Sequence, residues 1–180
     1  PRGARTFAEA LEMVHAVWHA ALEILIERER YQPPVADEGG LAPRLASNEA
    51  MLALSVEAIE RAGYRPVEQV AIAVDVASTH FYAEGRYRLA VERAALTADE
   101  LIARLEDWCG RYPILSLEDG LAEEDWGHWP KLQSRLGAGC QILGDDLFVT
   151  NPRRIERGIR EQAANSVLIK VNQIGTLSEA

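Results

Sequence analysis

Four short apolar runs in this 180-residue chain each end on or beside a charged side chain: VAIAVDV at Asp75, ILSLE at Glu118, CQILGDD at Asp145 and Asp146, and SVLIKV at Lys170. A carboxylate taken out of water is costly unless it is paired or bound to a metal. Three gathered carboxylates repel one another unless a hard cation holds them. All-oxygen ligation of that kind suits Mg2+, which keeps positions open for water and substrate oxygens. A lysine facing such a cation is a candidate base. The positive charge favours its neutral form and would also stabilise an enolate made by removing a proton next to a carboxylate.

The elements that must position these groups alternate along the chain. Strands are expected at 70–76, 114–118, 140–144 and 166–171, with helices at about 97–112, 123–136 and 151–163 between them. Strands separated by helices at this rhythm make right-handed βαβ units and a parallel sheet, and ligands bind at the C-terminal ends of such strands. Thr97 with Glu100 forms a capping box, and HFYAEGRYRL reads as a hairpin turning at Glu84 and Gly85. Upstream, Thr6 with Glu9 reads as another capping box. Phe7, Leu11, Val14, Trp18, Leu22 and Leu25 then recur at steps of three and four, so 6–30 is expected as an amphipathic helix. YQPPVADEGGLAP ends it, and a second helix is expected from about Asn48 to Gly63. No linker or low-complexity segment intervenes, so a single domain over 1–180 is expected.

Residues two apart on a strand share a face. Ala71, Ala73 and Asp75 therefore oppose Ile72, Val74 and Val76, while Leu168 and Lys170 oppose Val167, Ile169 and Val171; Ser116 accompanies Glu118. Asp145 falls in phase with Gln141, and Asp146 with Ile142. This alternation favours Asp145 as the inward acid, with Asp146 bonding the following loop.

Composition limits the functions available. With 19 basic and 28 acidic residues the formal charge is −9, which repels nucleic acid and anionic membranes. No apolar run approaches the roughly 20 residues of a membrane span. Cys109 and Cys140 lack metal-ligand spacing and read as small buried hydrophobes in a reducing compartment. His15 and His19 stand one helical turn apart, but Ala16 replaces the glutamate of a zinc-protease motif, and the pair reads as an ordinary helix face. Trp126 and Trp129 read as core anchors, with Glu123, Glu124 and Asp125 in the first turn of their helix.

The segments VADEGGLAP, DVASTHFY, SLEDGLAEEDW, LGDDLFVTNP and LIKVNQIGTLSE, in this order and spacing, resemble the enolase family of glycolytic phosphopyruvate hydratases. PRGARTFAEAL is similar to that family's segment just before the barrel site. The resemblance covers essentially the whole chain. It implies an incomplete α/β fold, a partial TIM-like (β/α) barrel, with Asp75, Glu118 and Asp145 binding catalytic Mg2+. It implies that Lys170 removes the C2 proton of 2-phosphoglycerate and that Glu38 assists departure of the C3 hydroxyl as general acid. Glu118, Asp145 and Lys170 would meet the substrate.

A cytoplasmic enzyme with a small-molecule substrate, homodimeric in its full-length form, is the further expectation. The family's N-terminal domain and the second half of its barrel have no counterpart in these residues, so a fragment of low activity alone is expected. Two features depart from the family pattern: Ala36 stands where a glycine is usual, and His80 where a glutamate is common. A non-catalytic Mg2+-binding or interaction module is the alternative. A different enolising enzyme of the superfamily is disfavoured by the ADEGG and KVNQIG motifs together.

Overall fold

A computed structural model describes residues 1–30 and 32–180, arranged as two compact units, Pro1–Ile72 and Ala73–Ala180. Tyr31, the first residue of the segment expected to end the first helix, lies outside the described residues.

The first unit is a helical pair. Helix α1 (Phe7–Glu29) starts at Thr6, whose hydroxyl accepts the Glu9 N–H. The expected box is only half formed, because the Glu9 carboxylate takes the N–H of Arg5, one residue before the cap. Helix α2 (Asn48–Arg61) is capped by Ser47 and ends before Gly63, whose φ of +85 suits a residue without a side chain. Ala20, Ile24 and Leu25 pack against Leu54 and Ala58, and Met13 packs against Ile59 and Val70. The expected stripe holds at its C-terminal end, where Leu25 is buried, and fails in the first turns. Phe7, Leu11 and Val14 are exposed, and the buried line runs through Met13, Ala20 and Ile24. Helix α1 carries apolar residues around more than one face, and periodicity alone does not say which face a neighbour covers.

In the second unit, strands β1 (Ile72–Asp75, beginning on the last residue of the first unit), β5 (Ile114–Glu118), β6 (Gln141–Gly144) and β7 (Ser166–Val167) lie side by side in that order. Strands β5 and β6 pair in parallel with Glu118 opposite Leu143, and β6 and β7 with Gly144 opposite Val167. Neighbours in the sheet follow chain order without reversal. That is the winding of a barrel wall rather than of a doubly wound sheet. The expected α/β class holds, and the wall is an open arc.

Between β1 and β5 a three-stranded antiparallel sheet forms from β2 (Tyr82–Ala83), β3 (Arg86–Leu89) and β4 (Ala94–Leu96). Glu84 and Gly85 both have positive φ, the requirement of a two-residue hairpin turn that follows strand twist. The alanine-rich β4 carries too little strand preference to be foreseen.

Helix α3 (Ala98–Arg111) has the expected box in full, Thr97 and Glu100 each bonding the other's backbone N–H. Helix α4 starts later than expected, at Trp129–Leu136. A helix begun at Glu123 would put Pro130 in its interior, where the ring removes a hydrogen bond and strikes the preceding turn; the proline sits in the first turn instead. Glu123, Glu124 and Asp125 belong to the preceding turns, and Trp126 and Trp129 are buried as expected.

Helix α5 (Pro152–Glu161) is capped by Asn151, and the one-turn α6 (Val171–Ile174) follows Lys170. The strand expected over 166–171 is cut to Ser166–Val167. Its partner β6 ends at Gly144, so the ladder finishes with Leu168 N–H on the Gly144 carbonyl. Among the described residues no helix is long and apolar enough to cross a membrane.

Candidate functional site

The parallel strands place their charged residues at or beyond their C-terminal ends. Asp75 is the last residue of β1, and one of its carboxylate oxygens accepts the Ala77 N–H at 2.9 Å. Glu118 is the last residue of β5. Asp145 follows β6 directly, and Lys170 lies three residues past β7.

A further acid, Asp119, joins this set. It is 3% exposed, adopts φ +42, and accepts the N–H groups of Asp145 at 3.1 Å, Asp146 at 2.8 Å and Leu147 at 3.5 Å. Carboxylate oxygens of Asp75, Glu118 and Asp119 lie within 4.8 Å of one another, as do those of Asp119, Asp145 and Asp146. The three acids singled out in the sequence therefore fall in two adjoining groups that share Asp119. The only sign of Asp119 in the sequence is a second adjacent acid pair at a strand end, SLED beside LGDD.

Asp145 is 7% exposed and both its oxygens are engaged: Oδ2 by the Lys170 ammonium and Oδ1 by Gln173 Nε2 at 2.6 Å. Asp146 is half-buried, and its backbone N–H is the one Asp119 holds at 2.8 Å. Thr150 is buried, and its hydroxyl accepts the Lys170 N–H at 2.8 Å and donates to Gln173 Oε1 at 3.1 Å. Neither Thr150 nor Gln173 follows from strand periodicity, since Thr150 lies in the turn after β6 and Gln173 in α6.

Burial and nearby negative charge raise Asp75, Glu118 and Asp119. Burial first, and then the charges of Asp75, Asp145 and Asp119, push Glu118 up to about 7, with Lys170 pulling the other way. Asp119 is pushed up to about 6, burial outweighing the backbone N–H groups that hold its anion. Asp75 is raised for the same first reason, with Asp145 and Asp146 adding repulsion. Lys170 is raised above the ordinary ammonium value, first by its bond to Asp145. It is thus held here in the acid form.

The donor set, carboxylates only, fits a hard divalent cation: Asp75, Glu118 and Asp119, raised by burial and by neighbouring anions, are groups a 2+ charge would relieve. Asp75, Glu118 and Asp119, or Asp119, Asp145 and Asp146, could supply its ligands.

Glu38 lies in the first unit, exposed, at a turn closed by the Ala36 N–H on Gly40 O and the Gly39 N–H on Ala36 O, both 2.8 Å. The Trp18 indole N–H donates to Gly39 O at 3.1 Å and pins the turn to α1, a contact with no signal in the sequence. Positive φ falls at Gly39, at +87, and not at Ala36, so an alanine at 36 meets no backbone penalty. His80 lies in the 3-10 turn Ser78–Phe81 after β1.

His15 and His19 stack edge-on at 4.3 Å on an exposed face, and no third metal-binding side chain joins them among the described residues. Cys140 is buried and Cys109 half-buried; their thiols hydrogen-bond to each other, a pairing their separation in sequence hides.

Residues 1–180 match the family model described as enolase, C-terminal TIM barrel domain.

Proposed function

Because the chain belongs to the enolase family, by way of that family's C-terminal TIM barrel domain, we propose that it carries out, as part of a longer enolase chain, the Mg2+-dependent dehydration of 2-phosphoglycerate to phosphoenolpyruvate. The reaction runs in reverse when phosphoenolpyruvate is hydrated. The observation that carries this reading is the gathering of Asp75, Glu118, Asp119 and Asp145 with Lys170 at the ends of consecutive barrel strands. Asp75, Glu118 and Asp145 are assigned as the metal ligands.

When bound, Mg2+ supplies positive charge that offsets the acids, favours the neutral amine of Lys170 and stabilises charge developing on the substrate carboxylate. Lys170 takes the proton from C2, leaving that carbon's electron pair conjugated with the carboxylate. Glu38 donates a proton to the C3 hydroxyl, the C3–O bond breaks, and water leaves as the C2–C3 double bond forms. The Asp145 carboxylate orients the Lys170 amine through Oδ2. By the same family reading the protein acts in the cytoplasm as a homodimer on a small-molecule substrate, and not on nucleic acid.

A second reading is favoured by the Lys170–Asp145 ion pair, which holds the lysine as the acid rather than the base. In it the domain binds Mg2+, or a partner, without turnover. Assay of phosphoenolpyruvate formation with Mg2+, with a chelator, and in Lys170→Ala separates the two. The catalytic reading requires turnover that both chelation and the substitution abolish. Tight Mg2+ binding with no turnover in the full-length protein would establish the second.

A further inference from the structure

Four residues after β6 and β7 close a ring of hydrogen bonds. The Lys170 backbone N–H donates to Thr150 Oγ1 at 2.8 Å, and Thr150 Oγ1 donates to Gln173 Oε1 at 3.1 Å. Gln173 Nε2 donates to Asp145 Oδ1 at 2.6 Å, and Lys170 Nζ reaches Asp145 Oδ2. Each link constrains the next. A hydroxyl has one proton, and with the Lys170 N–H occupying a lone pair of Thr150, that proton is directed at Gln173. Gln173 must then present its carbonyl oxygen to Thr150 and its NH2 to Asp145. The flipped amide would set an oxygen against a carboxylate and two donors against each other. With Oδ1 so held, Oδ2 is the oxygen that meets the lysine.

From this ring we infer that Thr150 and Gln173 are positioning residues, which set the orientation of the Asp145 carboxylate and the place of Lys170 together. The inference rests on the proposed reading that Asp145 serves the metal and Lys170 the proton transfer. Two observations separate the ring from ordinary loop bonding. Thr150 is buried at 2% exposure, so water does not replace its partners. Val149 and Thr150 also adopt successive positive φ values, +43 and +54, a conformation that branched side chains strongly resist. The turn tolerates this conformation while directing the Thr150 hydroxyl at the backbone of the proposed base.

The test uses the protein as expressed from its own gene and Mn2+ alone as the probe, its free concentration read by electron paramagnetic resonance. Thr150→Val and Gln173→Leu are each expected to weaken Mn2+ binding by about 10–100-fold, the usual cost of losing an outer partner of a metal ligand. Because they act in one chain, the double variant should be about as weak as the worse single, not the product of both. Thr150→Ser, which keeps the hydroxyl, should recover most of the affinity. With 2-phosphoglycerate, kcat should fall in both variants while KM changes little.

Urea unfolding of each variant separates this from a loss of fold. If Thr150→Val does not fold, the half-buried Gln173→Leu carries the test. Wild-type affinity and kcat in both variants, with Asp145→Asn still losing the metal, would overturn the inference and leave the reading of the site standing. Unchanged Mn2+ binding in Asp145→Asn would overturn both.

Discussion

Replacing Glu118 by glutamine should stabilise the metal-free protein at neutral pH. Burial and three neighbouring acids push Glu118 from the ordinary 4.5 up to about 7. A carboxyl whose folded pKa lies above its unfolded value is favoured in its protonated form by folding. Its ionised form therefore costs stability. That cost is fully present above about pH 7, shrinks as pH falls towards 4.5, and is absent below. At roughly 1.4 kcal/mol per pH unit the ceiling is about 3 kcal/mol. Because Glu118 is only half-buried, water screens the charge and about 1–2 kcal/mol is expected.

Urea unfolding with a chelator present, at about pH 8 and about pH 5.5, measures this. Since pH 5.5 still lies above 4.5, roughly half of that cost is relieved over this range, and the wild type should gain about 0.5–1 kcal/mol more than Glu118→Gln on acidification, although Asp75 and Asp119 leave both proteins some gain in the same direction. Saturating Mg2+ should then raise wild-type stability by ligand linkage and raise the variant far less. A variant less stable than wild type at neutral pH, or a difference that does not vary with pH, would refute the electrostatic account of the cluster.

Asp145→Asn should weaken Mg2+ binding by about tenfold or more, whereas Asp146→Asn should mainly loosen the loop; equal effects in a calorimetric titration would end that division of roles. Gly158→Ala would set a Cβ 2.3 Å from the Phe148 ring, so a loss of about 1–3 kcal/mol is expected in thermal unfolding. Tyr87→Phe removes a hydroxyl that donates to Asp125 at 2.6 Å and accepts the buried Ala122 N–H at 3.1 Å, and should cost about 1–3 kcal/mol by urea titration.

Features set by neighbouring residues were legible in the sequence. The Thr97–Glu100 box and the Glu84–Gly85 turn need only local chemistry, and both form. Strand-end positions for Asp75, Glu118 and Asp145 follow from chain rhythm, and β1, β5 and β6 end on or directly before them, whereas Lys170 lies three residues past the shortened β7. What escaped depends on distant partners. The strand at 166–171 stops early because β6 runs out at Gly144, and α1 buries Met13 and Ile24 rather than Phe7 and Leu11 because of where α2 packs. Asp119 looks like a turn acid until its carboxylate is seen to gather the N–H groups of 145–147, contributed by the next strand's turn. Thr150 and Gln173 gain meaning only from each other and from Lys170. The late start of α4 was readable in principle, since Pro130 forbids an earlier one.

The most direct test of the proposed chemistry is exchange of the C2 proton of 2-phosphoglycerate with deuterated solvent, followed by NMR on the full-length protein. Exchange that requires Mg2+ and vanishes in Lys170→Ala is the expected result. Exchange that persists in Lys170→Ala, or proceeds equally with a chelator, would contradict a metal-assisted proton abstraction by Lys170.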